Sequence, residues 1–118
     1  MARGAVTLCV LLWARAGRDS DLGRYEDQVL ALLADHDGRV VQRAHVEGGD
    51  GRGEGGQADG DGQPAEVQIL QFGSDEGLAG YMHDPRRTAL AGQRDAAIAR
   101  TDIFRATLHE QEADRSAG

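Results

Sequence analysis

Apolar side chains fall at every second position from Val6 to Leu12, and the positions between them carry Thr7, Cys9, Leu11 and Trp13. This predicts a first strand over residues 5–14, apolar on both faces and therefore covered on both. The period then changes. Leu22, Tyr25, Val29, Leu32, Leu33 and His36 share one stripe at about 100° per residue, the pattern of a helix packed on a sheet. Ser20 is its expected N-cap and Asp21 sits near its positive end, and Gly38 is the expected stop. Residues 39–46 predict a second strand, with Val40, Ala44 and Val46 on one face and Arg39, Val41, Arg43 and His45 on the other.

A third strand is expected over 66–72, and Ser74 then caps a short helix containing Leu78, Tyr81 and Met82. The Asp84-Pro85 step interrupts that helix, because proline disfavours the helical conformation in the residue before it but suits a first turn. The restarted helix is expected to run to about Ala99, followed by a fourth strand over 101–108 and a frayed polar tail over 109–118. The order β-α-β-β-α-β is the ferredoxin-like split arrangement of an α+β domain: a four-stranded antiparallel sheet with two helices on one face. Leu11, Trp13 and Phe104 then need cover on the other face, and a second copy of the chain is the simplest cover, making a homodimer. Between the second and third strands, Gly48 to Gly62 holds eight glycines among acidic and polar residues. Such a segment buries too little apolar surface to offset its ordering entropy, which predicts a flexible loop over 48–64.

The length of 118 residues fits one domain over 1–118. With a single Trp, two Tyr and two Phe, the core must be mainly aliphatic. Thirteen basic residues, all arginine, face twenty acids, for a net charge of −7. That balance argues against nucleic acid, which needs a basic stripe to displace counterions, and against an anionic membrane surface. The lone Cys9 allows no intrachain disulfide and suits a reducing, cytoplasmic compartment. Arg3, the apolar run to Trp13 and Ala14-Arg15-Ala16 imitate a secretory signal, but the run is short, β-rich and required as the first strand. No stretch approaches the roughly 20 apolar residues of a membrane span.

Leu12-Trp13-Ala14-Arg15-Ala16-Gly17, Tyr25-Glu26-Asp27, and Asp84-Pro85-Arg86-Arg87 followed by Leu90, Arg94-Asp95 and Ala99-Arg100-Thr101 resemble the dimeric α/β-barrel superfamily. Within it the chain is most similar to the family catalogued as domain of unknown function 1330, over residues 5–108 apart from the glycine-rich loop. The resemblance implies two sheets face to face and a cavity beside each sheet. Members of the superfamily include cofactor-independent monooxygenases, lactone isomerases, polyketide cyclases and haem-degrading enzymes, so fold alone does not choose a reaction.

Several side chains are candidates for chemistry. On a wheel from Arg86 the apolar stripe comprises Leu90, Ala91, Ala97 and Ile98, with Arg94 in its middle and Arg87 beside it. An arginine aimed at a core requires a partner. Either it forms a structural ion pair with Glu26 or Asp84, or it grips the carboxylate, phenolate or enolate of a ligand. Tyr25 and His36 share the stripe of the first helix, where they either move protons for a substrate or serve as a satisfied core phenol and a helix-terminal imidazole. Trp13, Arg43 and His45 project from strands. On a shared face they would line a ligand cavity; otherwise Trp13 packs in a dimer and the other two sit at a strand edge.

No metal site is expected, because His36, His45, His83 and His109 show no ligand spacing. No cofactor is expected either. Gly51, Gly53 and Gly56 satisfy G-x-G-x-x-G without opening a helix, and Asp50 to Asp61 imitates a calcium loop with Arg52 at a ligand position. The leading expectation is a cofactor-independent small-molecule isomerase, cyclase or monooxygenase. In it Arg94 or Arg43 stabilises negative charge and Tyr25, His36 or His45 moves protons, with Trp13 and Arg87 binding the ligand. The alternative is a non-catalytic binding or structural homodimer.

Overall fold

The computed structural model describes residues 5–47 and 62–109. The segment expected as a flexible loop lies largely outside them, as do residues 110–118 of the tail. Four strands, β1 (Val6–Ala14), β2 (Gly38–His45), β3 (Glu66–Phe72) and β4 (Ile98–Arg105), form one antiparallel sheet in the order β2-β3-β1-β4. Helix α1 (Asp19–Leu30) joins β1 to β2, and α2 (Asp75–Met82), α3 (Pro85–Thr88) and α4 (Ala91–Ala97) join β3 to β4. This is the expected ferredoxin-like α+β architecture, with the second helix divided into three.

The core lies between the helices and one face of the sheet. Val6, Leu8, Val10 and Leu12 of β1 and Leu70 and Phe72 of β3 pack against Leu22, Tyr25 and Val29 of α1 and Tyr81 of α2. Each aliphatic side chain so buried contributes about 1.5–3 kcal/mol relative to exposure. Phe72 and Tyr81 meet ring to ring at 5.6 Å, and the Tyr81 hydroxyl donates to the Val29 carbonyl at 3.1 Å, which ties α2 to α1. On the opposite face Cys9, Leu11, Val67 and Ile69 are only half-buried and Phe104 is 56% exposed.

Several boundaries differ from the sequence expectation, each for a local reason. The N-cap position of α1 is Arg18, which makes no side-chain cap, and Ser20 lies inside the helix. The helix stops at Leu30, and Leu33–His36 forms a separate 3₁₀ turn. Asp37, not Gly38, takes the left-handed conformation that ends this turn, at φ 60°. Aspartate is among the few non-glycine residues that tolerate that region. Gly38 serves another purpose: a Cβ there would stand 2.8 Å from the Phe72 ring. Ser74 does cap α2, its hydroxyl accepting from the Gly77 N–H at 3.0 Å. Asp84 caps α3 in the same way, accepting from the Arg86 N–H at 2.8 Å, with Pro85 in the first turn. The last helix ends at Ala97 instead of Ala99. Buried Ile98 is already extended and pairs with Ala14, which places β4 three residues earlier than expected.

The most consequential difference lies in β2. Val40 pairs with Leu70 but Gln42 pairs with Ile69, so Val41 is the extra residue of a bulge. The bulge reverses the faces. Arg43 and His45, opposite Gln68 and Glu66, join Val40 on the helix-covered side, and Ala44, opposite Val67, moves to the other.

Candidate functional site

A cavity opens between the sheet and the four helices, with an empty volume of ≈ 500 Å³ counting its solvent mouth. Its wall is largely apolar, with Leu8, Val10, Leu70 and Phe72 from the sheet and Val29 and Leu78 from the helices. Set into that wall are Tyr25, Glu26, Gln68 and Arg87, and Met82, Arg94 and Ile103 reach it from exposed positions. A mostly apolar pocket with a few convergent polar groups is the usual makeup of a small-molecule site.

Helix geometry explains how α1 supplies two of these groups. Glu26 is four residues after Leu22 and three before Val29, so it lies within the apolar stripe and not on the solvent side. It is buried, as are Glu66 and Gln68 of β3. Both Gln68 N–H bonds serve acids, reaching Glu26 Oε1 and Glu66 Oε2 at 2.8 Å each. Burial raises the proton affinity of the Glu26 carboxyl above that of an ordinary glutamate. The Gln68 hydrogen bond opposes this, the Glu66 charge reinforces it, and Arg43 and Arg87 oppose it.

Arg87 enters from α3. Its guanidinium lies 5.0 Å from the centre of the Tyr81 ring. Its Nε is buried without a hydrogen-bond partner, and among the described residues Arg87 forms no ion pair. Buried donors are nearly always satisfied in native proteins, so an orphaned guanidinium N–H beside a cavity is a place for an acceptor from outside the chain. The two phenols respond to the same surroundings. Tyr81 is pushed up to about 12 and Tyr25 is raised, in both cases by burial, with Arg87 pulling the other way. No group among the described residues bonds the Tyr25 hydroxyl, which leaves it free to donate.

Three of the seven residues singled out in the sequence line the cavity, Tyr25 and Arg87 within its wall and Arg94 at its margin. Arg94 does not occupy the middle of an apolar stripe. The wheel that put it there assumed one continuous helix, but α3 and α4 are separated by Ala89 and Leu90, which changes the phase. Its side chain is 45% exposed at the cavity margin and pairs with Asp95 at 3.2 Å, rather than with Glu26 or Asp84. Arg43 is fully engaged. Its Nε donates to Glu66 at 2.5 Å and its Nη1 to Asp27 at 2.7 Å, and its Nη2 reaches the Gly23 carbonyl at 3.3 Å. These bonds outweigh the cost of burial and raise its proton affinity, so it holds Glu66 and α1 in place, and it does not line the cavity.

His45 is 69% exposed, with Nε2 3.1 Å from Glu66 Oε1, and does not line the cavity. His36 also lies outside it. Its Nε2 is 2.7 Å from Asp84 Oδ2, and its ring packs so closely on α2 that a Cβ at Gly80 would be 2.8 Å from Nδ1. Asp84 also receives Arg86, and these hydrogen bonds hold its carboxyl well below the usual carboxylate range. His36 therefore fastens the 3₁₀ turn to the start of α3. Trp13 projects from the opposite face of β1, so it cannot share a wall with Arg43 and His45. Its Nε1 donates to the Gly62 carbonyl at 2.9 Å, and Arg100 lies 4.4 Å over its ring.

Glu26 and Gln68 escaped the sequence reading as site residues. The signal for Glu26 was an acid at i+4 from Leu22 and i−3 from Val29. For Gln68 it was a polar residue in phase with Leu70 and Phe72. Among the described residues no group of three or more His, Cys, Asp or Glu is placed to hold a metal, and no helix is long and apolar enough to cross a membrane.

No family model matches the chain, and no curated protein sequence matches it. Solved structures share its fold. A candidate antibiotic biosynthesis monooxygenase from Caulobacter crescentus superposes with a TM-score of 0.67 at 10% identity, over 91% of this chain and 92% of that one. SnoaB, a cofactor-independent oxygenase from Streptomyces nogalater, gives 0.61 at 14% identity, over 92% and 99%. A dimeric protein of unknown function with a ferredoxin-like fold, from Bacteroides fragilis, gives 0.60 at 13% identity, over 89% and 97%. At these identities the likeness is one of fold.

Proposed function

We propose that the chain is a small-molecule enzyme of the dimeric α/β-barrel type that works by proton transfer in the cavity of Tyr25, Glu26 and Arg87, without a bound metal or nucleotide. The observation that carries this reading is the orphaned Nε of Arg87 in the same cavity wall as a buried acid. Glu26 Oε1 is held by Gln68, and Oε2 has no partner among the described residues. Oε2 takes a proton from a carbon or oxygen acid of the substrate, and Arg87 and the Tyr25 hydroxyl stabilise the negative charge left on its oxygen. An enolate or phenolate so formed serves isomerisation, cyclisation or, with dioxygen as oxidant, oxygenation. SnoaB is described as a cofactor-independent oxygenase, which supports chemistry of this kind on this fold.

The sequence elements Tyr25-Glu26-Asp27 and Asp84-Pro85-Arg86-Arg87 contribute three of these groups, which favours kinship with domain of unknown function 1330. A second copy covers the half-buried face of Cys9, Leu11, Val67, Ile69 and Phe104, giving a homodimer that works in the cytoplasm. The assay is hydrogen–deuterium exchange in a panel of small phenols and 1,3-dicarbonyl compounds in deuterated buffer, followed by proton NMR. The wild type accelerates exchange for at least one member, and Glu26→Gln abolishes the acceleration. Equal exchange with and without protein across the panel, together with saturable binding, replaces the enzyme with a non-catalytic binding module.

A further inference from the structure

We infer that Glu66, fastened by Arg43, acts through the Gln68 amide as a positioning residue that fixes both the orientation and the proton occupancy of Glu26. The inference rests on the cavity reading for its functional meaning, but its geometry stands apart from any substrate. One side-chain amide bridges two buried carboxylates, and only its NH₂ end can face both, since a carbonyl oxygen accepts and does not donate. The two acids are not equivalent. Glu66 Oε2 receives Arg43 Nε at 2.5 Å, and its Oε1 lies 3.1 Å from His45 Nε2. Among the described residues Glu26 has no cation within ion-pair distance and a single side-chain hydrogen bond, from Gln68. Two buried carboxylates so close resist carrying full charge together, and the one without a paired cation holds a proton more tightly than an ordinary glutamate.

Charges from every packed element bear on Glu26. Glu66 from β3 and Arg43 from β2 reach it across the sheet, and Arg87 comes from α3. Tyr25 on its own helix and Tyr81 on α2 complete the surroundings. Arg43 also bonds the exposed Asp27, so the network runs from the surface of α1 and β2 inward to the cavity. Arg43 does not line the cavity, yet through Glu66 it influences how readily Glu26 Oε2 accepts a proton.

The test is carbon NMR titration of the Glu26 carboxyl in the full-length, ligand-free chain, with the resonance assigned by its loss in Glu26→Gln. Glu66→Gln keeps an acceptor for Gln68 and Arg43 but removes the charge, and is expected to lower the Glu26 midpoint by about one pH unit. Arg43→Lys keeps the charge and leaves the midpoint near that of the wild type, whereas Arg43→Gln raises it. If Arg43→Gln fails to fold, the other two variants decide. An unmoved midpoint in Glu66→Gln overturns the coupling and leaves the enzyme reading untouched. Conversely, an absence of turnover on every compound tried removes that reading while the shift in midpoint stands.

Discussion

Replacing Arg87 with methionine is expected to stabilise the protein while removing its activity. The change keeps a long apolar stem against Tyr81 and removes an Nε–H that finds no acceptor. A buried unpaired donor costs about 1–3 kcal/mol, and the lower part of that range applies because the residue as a whole is half-buried. The guanidinium–ring contact at 5.0 Å is lost, at about 0.5–1 kcal/mol for such exposure. A thioether against the same ring restores about 0.3–1.5 kcal/mol. Glu26 loses a neighbouring cation, the last of the influences on it, and its proton affinity rises further. The net gain near neutral pH is about 1 kcal/mol. In urea unfolding this moves the midpoint up by roughly 0.3–1 M with the slope unchanged. Arg87→Met also loses the exchange activity in deuterated buffer. A destabilisation of about 2 kcal/mol or more, in the range of broken buried networks, would instead mean that Arg87 is satisfied within the fold.

Other perturbations follow from the same structure. Because the Glu26 carboxyl binds its proton more tightly folded than unfolded, wild-type stability should fall as pH rises from the ordinary glutamate value of 4.5 through the higher folded midpoint. Glu26→Gln lacks this slope, so urea unfolding at a series of pH values should show the variant gaining on the wild type as pH rises; parallel curves would contradict the assignment. Tyr81 and Tyr25 should resist ionisation, so tyrosinate absorbance near pH 10 should be lower in the native than in the urea-unfolded protein, with stability declining as pH rises through that value. Gly38→Ala places a methyl 2.8 Å from the Phe72 ring and 3.1 Å from Leu33, and overpacking of this kind costs about 1–3 kcal/mol in thermal unfolding. A neutral outcome there would show that Phe72 has room to move.

The fold was legible because its pattern is local. Alternation in β1 and β3, the apolar stripe of α1, and the caps at Ser74 and Asp84 each follow from a few neighbouring residues. The bulge at Val41 was not legible, since the adjacent valines of Arg39-Val40-Val41-Gln42-Arg43 do not say which residue is left unpaired, and pairing of Val40 with Leu70 and Gln42 with Ile69 is what sets the extra residue apart. That one residue moved Arg43 and His45 to the covered face. A wheel drawn through the break between α3 and α4 puts Arg94 in mid-stripe, whereas in the structure it stands at the cavity margin and Arg87, adjacent to the stripe on that wheel, is set deeper into the wall. Trp13 was legible as a residue of the opposite face, but its cover comes from Gly62 and Arg100, two segments that only the tertiary fold brings to it. Glu26 shows the limit most clearly. An acid in an apolar stripe is visible in sequence, but its partner Gln68 lies 42 residues away.

The claim that Arg87 and Glu26 face one functional cavity is tested most directly by following the Arg87 Nε–H resonance while the phenol and 1,3-dicarbonyl panel is titrated into the protein. A compound whose exchange the protein accelerates is expected to shift this resonance saturably, and to do so less in a protein carrying Tyr25→Phe. Acceleration of a compound that leaves Arg87 Nε–H unmoved would place the chemistry elsewhere and contradict the account.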